Sequence, residues 1–499
     1  MLLHAVIFLP ALAALALLAI KKEDLARVRL FGAAASGLTL LLSIVLANGF
    51  RPAADGTSYG AVVNWMPSFG VRFAVGLDGI GLLLVLLTTS LSVLTIVASW
   101  SSIHHRLRDF VFWFLMLESF MLGTIASRDL FQFFVFWELL LLPMLFIIGR
   151  WGGERRVYAA VKFFIYTMVG SLPMMAALAY VYFRHRAAFP AEQPSFLLAD
   201  FARLKLDLAE QLWCFAGFGL SFAIKVPLWP VHTWLPDAHT EAPTPGSMIL
   251  AGVLLKLGGL GFLLIAIPLF PDAARAAQPL VMTLSVVGVV FGALVAMVQP
   301  DLKRLVAYSS VSHMGLVTLG TFALNKEGLS GSVLQMIAHG VSTGALFLLV
   351  GMVYERRHTR LIAAYGGIAK VMPRFAAVFL VVTFSSIALP LTNGFPGEFL
   401  ILLGTFKASP IAAVFAVTGA ILGAWYMLGA VKRVFFGPVT DHHNAELKDL
   451  SRNELLLVLP FLVAILYCGV RPQGMLDLIG PDVTRIEAAA ARSILPEAK

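Results

Sequence analysis

Residues 221–262 read SFAIKVPLWPVHTWLPDAHTEAPTPGSMILAGVLLKLGGLGF, and their reading decides the fold. Two apolar runs each carry one lysine, Lys225 and Lys256, and the first run is cut by Pro227, Pro230 and Pro236. An ionisable group at the centre of a bilayer costs at least about 2.5–3.5 kcal/mol on insertion scales. Proline removes a backbone donor and clashes with the preceding turn. The carbonyls it frees survive at membrane depth only where protein or water satisfies them. A charged, broken helix beside a charged, glycine-rich one therefore points to a path for protons or ions.

Working outward, the same signature recurs. Residues 388–406, ALPLTNGFPGEFLILLGTF, place Pro390, Asn393, Gly394, Pro396 and Gly397 just before a lone Glu398. Residues 134–144, FVFWELLLLPM, hold Glu138 with no basic residue in the same apolar run. Discontinuous helices in corresponding places of two halves mark a transport site. Glu138 precedes Lys225 by 87 residues and His313 precedes Glu398 by 85. The offset between the halves spans five helices, an odd number, so the second half is expected to be inverted relative to the first.

Hydrophobic residues make up 59% of the 499 and charged residues 13%, with a mean hydropathy of +0.87. That balance is one of an integral membrane protein. The net charge of +9 does not indicate a nucleic-acid partner, because the basic residues fall in short loops between apolar runs. A membrane-crossing helix needs roughly 20 mostly apolar residues. Fourteen segments qualify: 2–20, 29–49, 77–100, 109–126, 129–149, 156–183, 208–239, 246–270, 278–299, 303–324, 328–354, 375–405, 409–436 and 454–470. The expected fold is an all-α membrane protein of about fourteen transmembrane helices, with two inverted five-helix repeats and two broken helices. Its divisions are 1–108 (helices 1–3), 109–272 (the first repeat, helices 4–8), 273–436 (the second, helices 9–13) and 437–499 (the last helix and tail). Residues 50–76, 184–207 and 437–453 read as polar connections, and 481–493 as an amphipathic surface helix.

Loops after odd-numbered segments carry roughly twice the Lys and Arg of the even ones, which puts them in the cytoplasm and both termini outside. Lys21 and Lys22 follow the first apolar run instead of preceding it, the order of a retained helix and not of a signal peptide. Cys214 and Cys468 lie in apolar segments without Cys or His partners, so no cluster, zinc site or disulfide is indicated. No GxGxxG or phosphate-binding loop appears.

Glu138 is the expected partner of Lys225. Unit charges 4 Å apart interact by about 4 kcal/mol at an effective dielectric of 20, enough to switch a lysine between holding and releasing a proton; a plain interhelix salt bridge is the bland alternative. Lys256 is too deep in its helix to snorkel, and its glycines let other backbones approach. Glu398 can accept a proton or simply cap a half-helix. His313 in AYSSVSHMGLV and His339 in QMIAHGVSTG lie between Lys256 and Glu398, where imidazole relays protons and Ser309, Ser310, Ser312, Ser342 and Thr343 offer hydroxyls. Glu118 is a further mid-span candidate. Lys162 is expected to snorkel or to reach the Glu138 region. His232, Asp237, His239 and Glu241 either line a water inlet or serve packing and capping.

These motifs resemble the proton-translocating, antiporter-like subunits of respiratory complex I over almost the whole length. Residues 134–144, the long run 225–259, YSSVSHMG at 308–315 and GFPGEF at 394–399 carry the likeness. Within that family a glutamate at the second break, where sister subunits have lysine, marks one branch. The resemblance implies Glu138 and Lys225 as modulating pair, Lys256 as central relay, His313 and His339 as relays, and Glu398 at the exit. It implies no cofactor in this chain, with NADH, FMN, iron–sulfur clusters and quinone in partner subunits. Subunits L and N become the expected neighbours and the bacterial inner membrane the location. A subunit of a multi-subunit cation/proton antiporter or membrane-bound hydrogenase, or a passive spacer between pumps, are the rival expectations.

Overall fold

The computed structural model describes residues 1–52, 56–439 and 441–492. The chain is mainly helical. Two helices, α1 (Leu2–Leu17) and α2 (Leu25–Asn48), lead into an antiparallel hairpin, β1 (Ser58–Met66) and β2 (Val71–Leu77). This hairpin corrects the all-α expectation, which took residues 50–76 as a polar connection. The strands pair because β-branched and aromatic residues recur through 59–75, including Tyr59, Val62, Val63, Trp65, Val71, Phe73 and Val75. The link needs Gly70: its φ is +75°, and a Cβ there would lie 2.0 Å from the Pro194 carbonyl oxygen. Arg72 N donates to Asp129 Oδ2 and Ala74 N to Gln132 Oε1, so the strand edge is covered.

Helices α3 (Gly79–Ser102) and α4 (Leu107–Ala126) complete the N-terminal group. Next come α5 (Leu130–Leu139), α6 (Leu141–Trp151), α7 (Arg156–Ala188), the short α8 (Leu198–Phe201) and α9 (Leu208–Lys225). Pro143 has no N–H to offer the Leu139 carbonyl, which accounts for the interruption between α5 and α6. Beyond α9 the chain unwinds over residues 226–233 before α10 (Trp234–Glu241), the expected first break.

The Lys256 segment runs from α11 (Thr244–Ile249) through α12 (Leu255–Gly261) to α13 (Ile267–Leu269), with π-helical turns at Leu250–Leu254 and Phe262–Ala266. Then follow α14 (Pro271–Met297), α15 (Leu302–Thr321) and α16 (Lys326–Arg357). The middle of α16 is wholly buried, and with it the polar residues Gln335, His339, Ser342 and Thr343. The second break separates α17 (Pro373–Ser386) from α18 (Gly394–Ala408). The chain ends with α19 (Pro410–Phe435), the short α20 (His442–Ala445), α21 (Arg452–Val470) and α22 (Gln473–Ala491).

Among the described residues ten helical stretches are long and apolar enough to cross a membrane; Leu2–Leu17 and Pro373–Ser386 are shorter apolar helices. Helix α22 is none of these. It packs Ile479, Val483 and Ile486 inward, and Asp482 accepts from Ile80 N at 3.1 Å and from Arg485 at 3.0 Å. It begins eight residues earlier than the amphipathic tail read from the sequence.

Candidate functional site

The break after Lys225 is built from named hydrogen bonds. Val226 N closes on the Phe222 carbonyl at 2.9 Å, Leu228 N on Ala223 at 2.8 Å, and Trp234 Nε1 on Ile224 at 2.9 Å. The indole of α10 therefore satisfies a carbonyl that the prolines orphan, next to the lysine itself. Lys225 is 1% exposed, and its ammonium has no hydrogen-bond partner. It lies over the Trp137 ring, 4.6 Å from the centroid.

Glu138 is only partly buried, at the rim of the chain, and its Oε1 is likewise unpartnered. No ion pair of 4.0 Å or less joins it to Lys225 among the described residues. The two groups are neighbours in an open arrangement, with an aromatic face in place of the carboxylate. Trp137, adjacent to Glu138 in sequence, was overlooked as a competitor for the lysine.

Lys256 is fully buried on α12. Its ammonium donates to the Ala251 carbonyl, five residues back, and lies 2.8 Å from His339 Nδ1 on α16. The carbonyl is available because the π turn at Leu250–Leu254 widens the helix there. The glycines act as expected: a Cβ on Gly258 would come within 2.8 Å of the Phe222 oxygen and 2.9 Å of Val226 N. The end of α9 thus lies directly against α12, which brings the Lys225 break beside the Lys256 helix.

From His339 the ring of His313 on α15 is 5.6 Å away, centroid to centroid. His313 in turn lines a cavity of about 20 Å³ with Ser312, Ser386, Glu398 and Tyr426. A space of that size accommodates one water. Glu398, 8% exposed, sits one turn into α18. The second break is tied to α16 beside His339: Ser342 meets Ser385 at 2.6 Å, Ser385 donates to Asn393, and Asn393 Nδ2 donates to the Ala338 carbonyl at 3.2 Å. Ala388 and Leu391 carry positive φ of 54° and 74°, strain concentrated at this break.

The remaining candidates divide. Lys162 pairs with Asp237 at 2.7 Å and does not reach Glu138. His232 packs edge-on to Phe291, and His239 stacks on Phe347 with both ring nitrogens unpartnered. Glu241 lines a cavity of about 180 Å³, together with Ser102, Lys303, Tyr354 and Arg360. Lys303, near the start of α15, is 7% exposed and donates to the Ala242 carbonyl. Tyr426 was missed; Asn393, read in the sequence only as part of the second break, proves to be the residue that ties the break to α16. Among the described residues the only cluster of metal-ligating groups is Asp441, His442 and His443, in a connection away from the buried charges.

Residues 127–423 match the family described as NADH:quinone oxidoreductase/Mrp antiporter, transmembrane. The chain is 43% identical over 460 residues to NADH-quinone oxidoreductase subunit M of Rhodobacter capsulatus, covering 91% of this chain and 89% of that protein. Among solved structures it is similar to a chain of respiratory complex I from Thermus thermophilus, with a TM-score of 0.88, 35% identity and coverage of 98% and 99%. A chain of the Mrp complex from a Dietzia species gives 0.84 at 21% identity, covering 98% and 99%, a likeness of fold.

Proposed function

The chain belongs to the NADH:quinone oxidoreductase/Mrp antiporter transmembrane family, and from that premise we propose how its buried charges serve proton translocation. It is a membrane-arm subunit of a proton-translocating NADH:quinone oxidoreductase, of the subunit M type. Protons enter near Lys225, pass to Lys256, and leave through His339, His313 and Glu398. The observation that carries this reading is the succession of short steps from the Lys256–His339 contact to the cavity shared by His313 and Glu398.

Energy arrives as a charge change in a neighbouring subunit, felt first by Glu138 at the rim. Any two unit charges that close from about 8 Å to about 4 Å gain about 2 kcal/mol at an effective dielectric of 20, the scale on which a Glu138–Lys225 approach is to be judged. A desolvated cation–π contact with Trp137 is worth about 2 kcal/mol in the other direction. The two positions of Lys225 are then nearly balanced, and a modest external charge selects between them. One charge crossing 100 mV costs about 2.3 kcal/mol, the same scale.

In this reading the fourteen helices comprise two inverted five-helix units, 109–272 and 273–436, preceded by 1–108 and followed by 437–499. Loops after odd helices face the cytoplasm of a bacterial cell, both termini face the periplasm, and subunits L and N are the neighbours. Redox cofactors sit in partner subunits. The test is Glu398→Gln and Lys256→Met in the intact complex in sealed vesicles, following NADH oxidation and the proton gradient. Loss of both in an assembled complex is expected; full pumping by either variant refutes the axis. The Mrp-like fold leaves sodium as the rival ion, and a gradient that depends on sodium would replace this reading.

A further inference from the structure

Glu118 has no place in the axis above, yet it is 0% exposed halfway along α4. Two rows of buried hydroxyls run along the helices packed beside it. Ser36, Thr39 and Ser43 follow one side of α2, and Thr88, Ser92, Thr95 and Ser99 one side of α3, all of them 0% exposed. The two helices are joined beside the rows, where Ser43 of α2 and Thr89 of α3 are 2.9 Å apart. Ser36 donates to Glu118 Oε2 at 2.6 Å.

Hydroxyls inside helices usually bond back to a carbonyl of their own helix and then carry no further meaning. Thr39, Thr88, Thr89 and Ser99 do so, onto Ala35, Leu84, Val85 and Ile96. Ser92 and Thr95 do not. Their hydroxyl oxygens and Glu118 Oε1 are all buried and unpartnered. No cation forms an ion pair with Glu118 among the described residues. An ionised carboxylate in such a place is costly. A neutral acid has an O–H to donate, and Ser92 is the acceptor within its reach.

We propose that Glu118, with Ser92 and Thr95, forms a proton-binding site separate from the Glu138–Glu398 axis: a carboxylic acid at mid-membrane that exchanges its proton along α3 towards the face away from the hairpin. The direction follows from where the hydroxyls lead. Beyond Thr95, Ser99 and then Ser102 follow along α3, each donating to a carbonyl of its own helix and keeping its oxygen as an acceptor. Ser102 lines the 180 Å³ cavity with Glu241 and Lys303. In each exchange the Glu118 O–H bond breaks as the Ser92 oxygen accepts that proton and releases its own hydroxyl proton onward along α3, and a proton from solvent returns along the same hydroxyls to re-form the Glu118 O–H bond.

The test is infrared difference spectroscopy on the intact complex, wild type minus Glu118→Gln, in H₂O and in D₂O. The expected result is a carbonyl band of a protonated carboxylic acid, absent from the variant and shifted downward in D₂O. Ser92→Ala/Thr95→Ala should keep the band and slow its deuterium shift by about tenfold or more, as loss of a hydrogen-bonded relay implies. Carboxylate bands in place of the acid band, an acid band that does not shift, or an unchanged exchange rate in the serine–threonine variant would each overturn the proposal. Should Glu118→Gln fail to assemble, wild type against the double variant still decides. The spectra do not read pumping, so a failure of the main axis leaves this outcome independent.

Discussion

Replacing Trp137 tests whether Lys225 really has two resting places. The ammonium sits 4.6 Å from the indole centroid, in a site that is fully buried. A desolvated cation–π contact of this kind contributes about 2 kcal/mol. Trp137→Leu removes it and biases Lys225 towards Glu138 by roughly thirtyfold, since 1.4 kcal/mol is a factor of ten. Packing is lost too, because Trp137 lies 5.4 Å from the rings of both Phe133 and Phe222. Comparing Trp137→Phe with Trp137→Leu separates the two effects. Both substitutions leave a space, but only phenylalanine keeps a negative aromatic face for the cation. NADH oxidation and proton uptake in sealed vesicles should therefore fall in the order Trp, Phe, Leu, by up to about thirtyfold at the end of the series. Native gels check assembly. Equal rates for the Phe and Leu variants, or full activity in Leu, would refute the two-position account.

Gly258→Ala adds a Cβ that meets two backbone atoms, which no rotamer change relieves, so a loss of about 1–3 kcal/mol is expected as a lowered melting temperature of the subunit in the complex. Gly37→Ala, with nothing within 4 Å of the added carbon, is the control and should be neutral or mildly stabilising. His339→Ala leaves the Lys256 ammonium one partner short, at a cost of about 1–3 kcal/mol, and proton translocation should drop by tenfold or more in an assembled complex. Burial and then the neighbouring Asp78 push the Asp482 carboxyl up to about 6, with Arg485 and Arg128 facing the same two acids. A raised folded-state pKa stabilises most below the ordinary value of 3.8 and loses that contribution as pH rises through about 6. Proteolysis of α22 should accelerate across that range, and Asp482→Asn should flatten the pH dependence.

Both helix breaks were legible because prolines adjoin a lone charge in each, joined at the second by Gly394 and Gly397, and no soluble pattern explains that combination. The glycines of 258–261 likewise announced close backbone approach. The π turns around Lys256 leave no mark in the sequence: Ala, Gly, Val and Leu suit an α turn equally well, and packing selects the wider one. The hairpin at 58–77 was hidden by its partial exposure, which blurs the alternation of a strand. Lys225 shows a different limit. Sequence places Glu138, Trp137 and Lys225 in one neighbourhood, yet a lysine stem reaches either an indole or a carboxylate, and energies of similar size decide between them. Lys303 opens α15 and is buried against the Ala242 carbonyl, a contact between segments distant in sequence that no local pattern announces.

The chemistry of each buried ion matches the backbone beside it. Lys225 is the last residue of α9, where the helix presents its negative dipole end and its unsatisfied carbonyls. Glu398 stands one turn inside α18, towards the positive end. Lys256 has no helix end to use, and there a π turn supplies the equivalent, a carbonyl released from the ladder at Ala251. In each case the irregular backbone does for the charge what water does elsewhere. The breaks and widened turns are therefore not accommodations to bulky or awkward residues. They place Lys225, Lys256 and Glu398, all buried and without an ion pair among the described residues, beside helix ends or a released carbonyl, which is what the proposed translocation asks of a group whose charge changes. A permanent salt bridge at any of these positions would hold the ion more firmly and would remove its ability to respond.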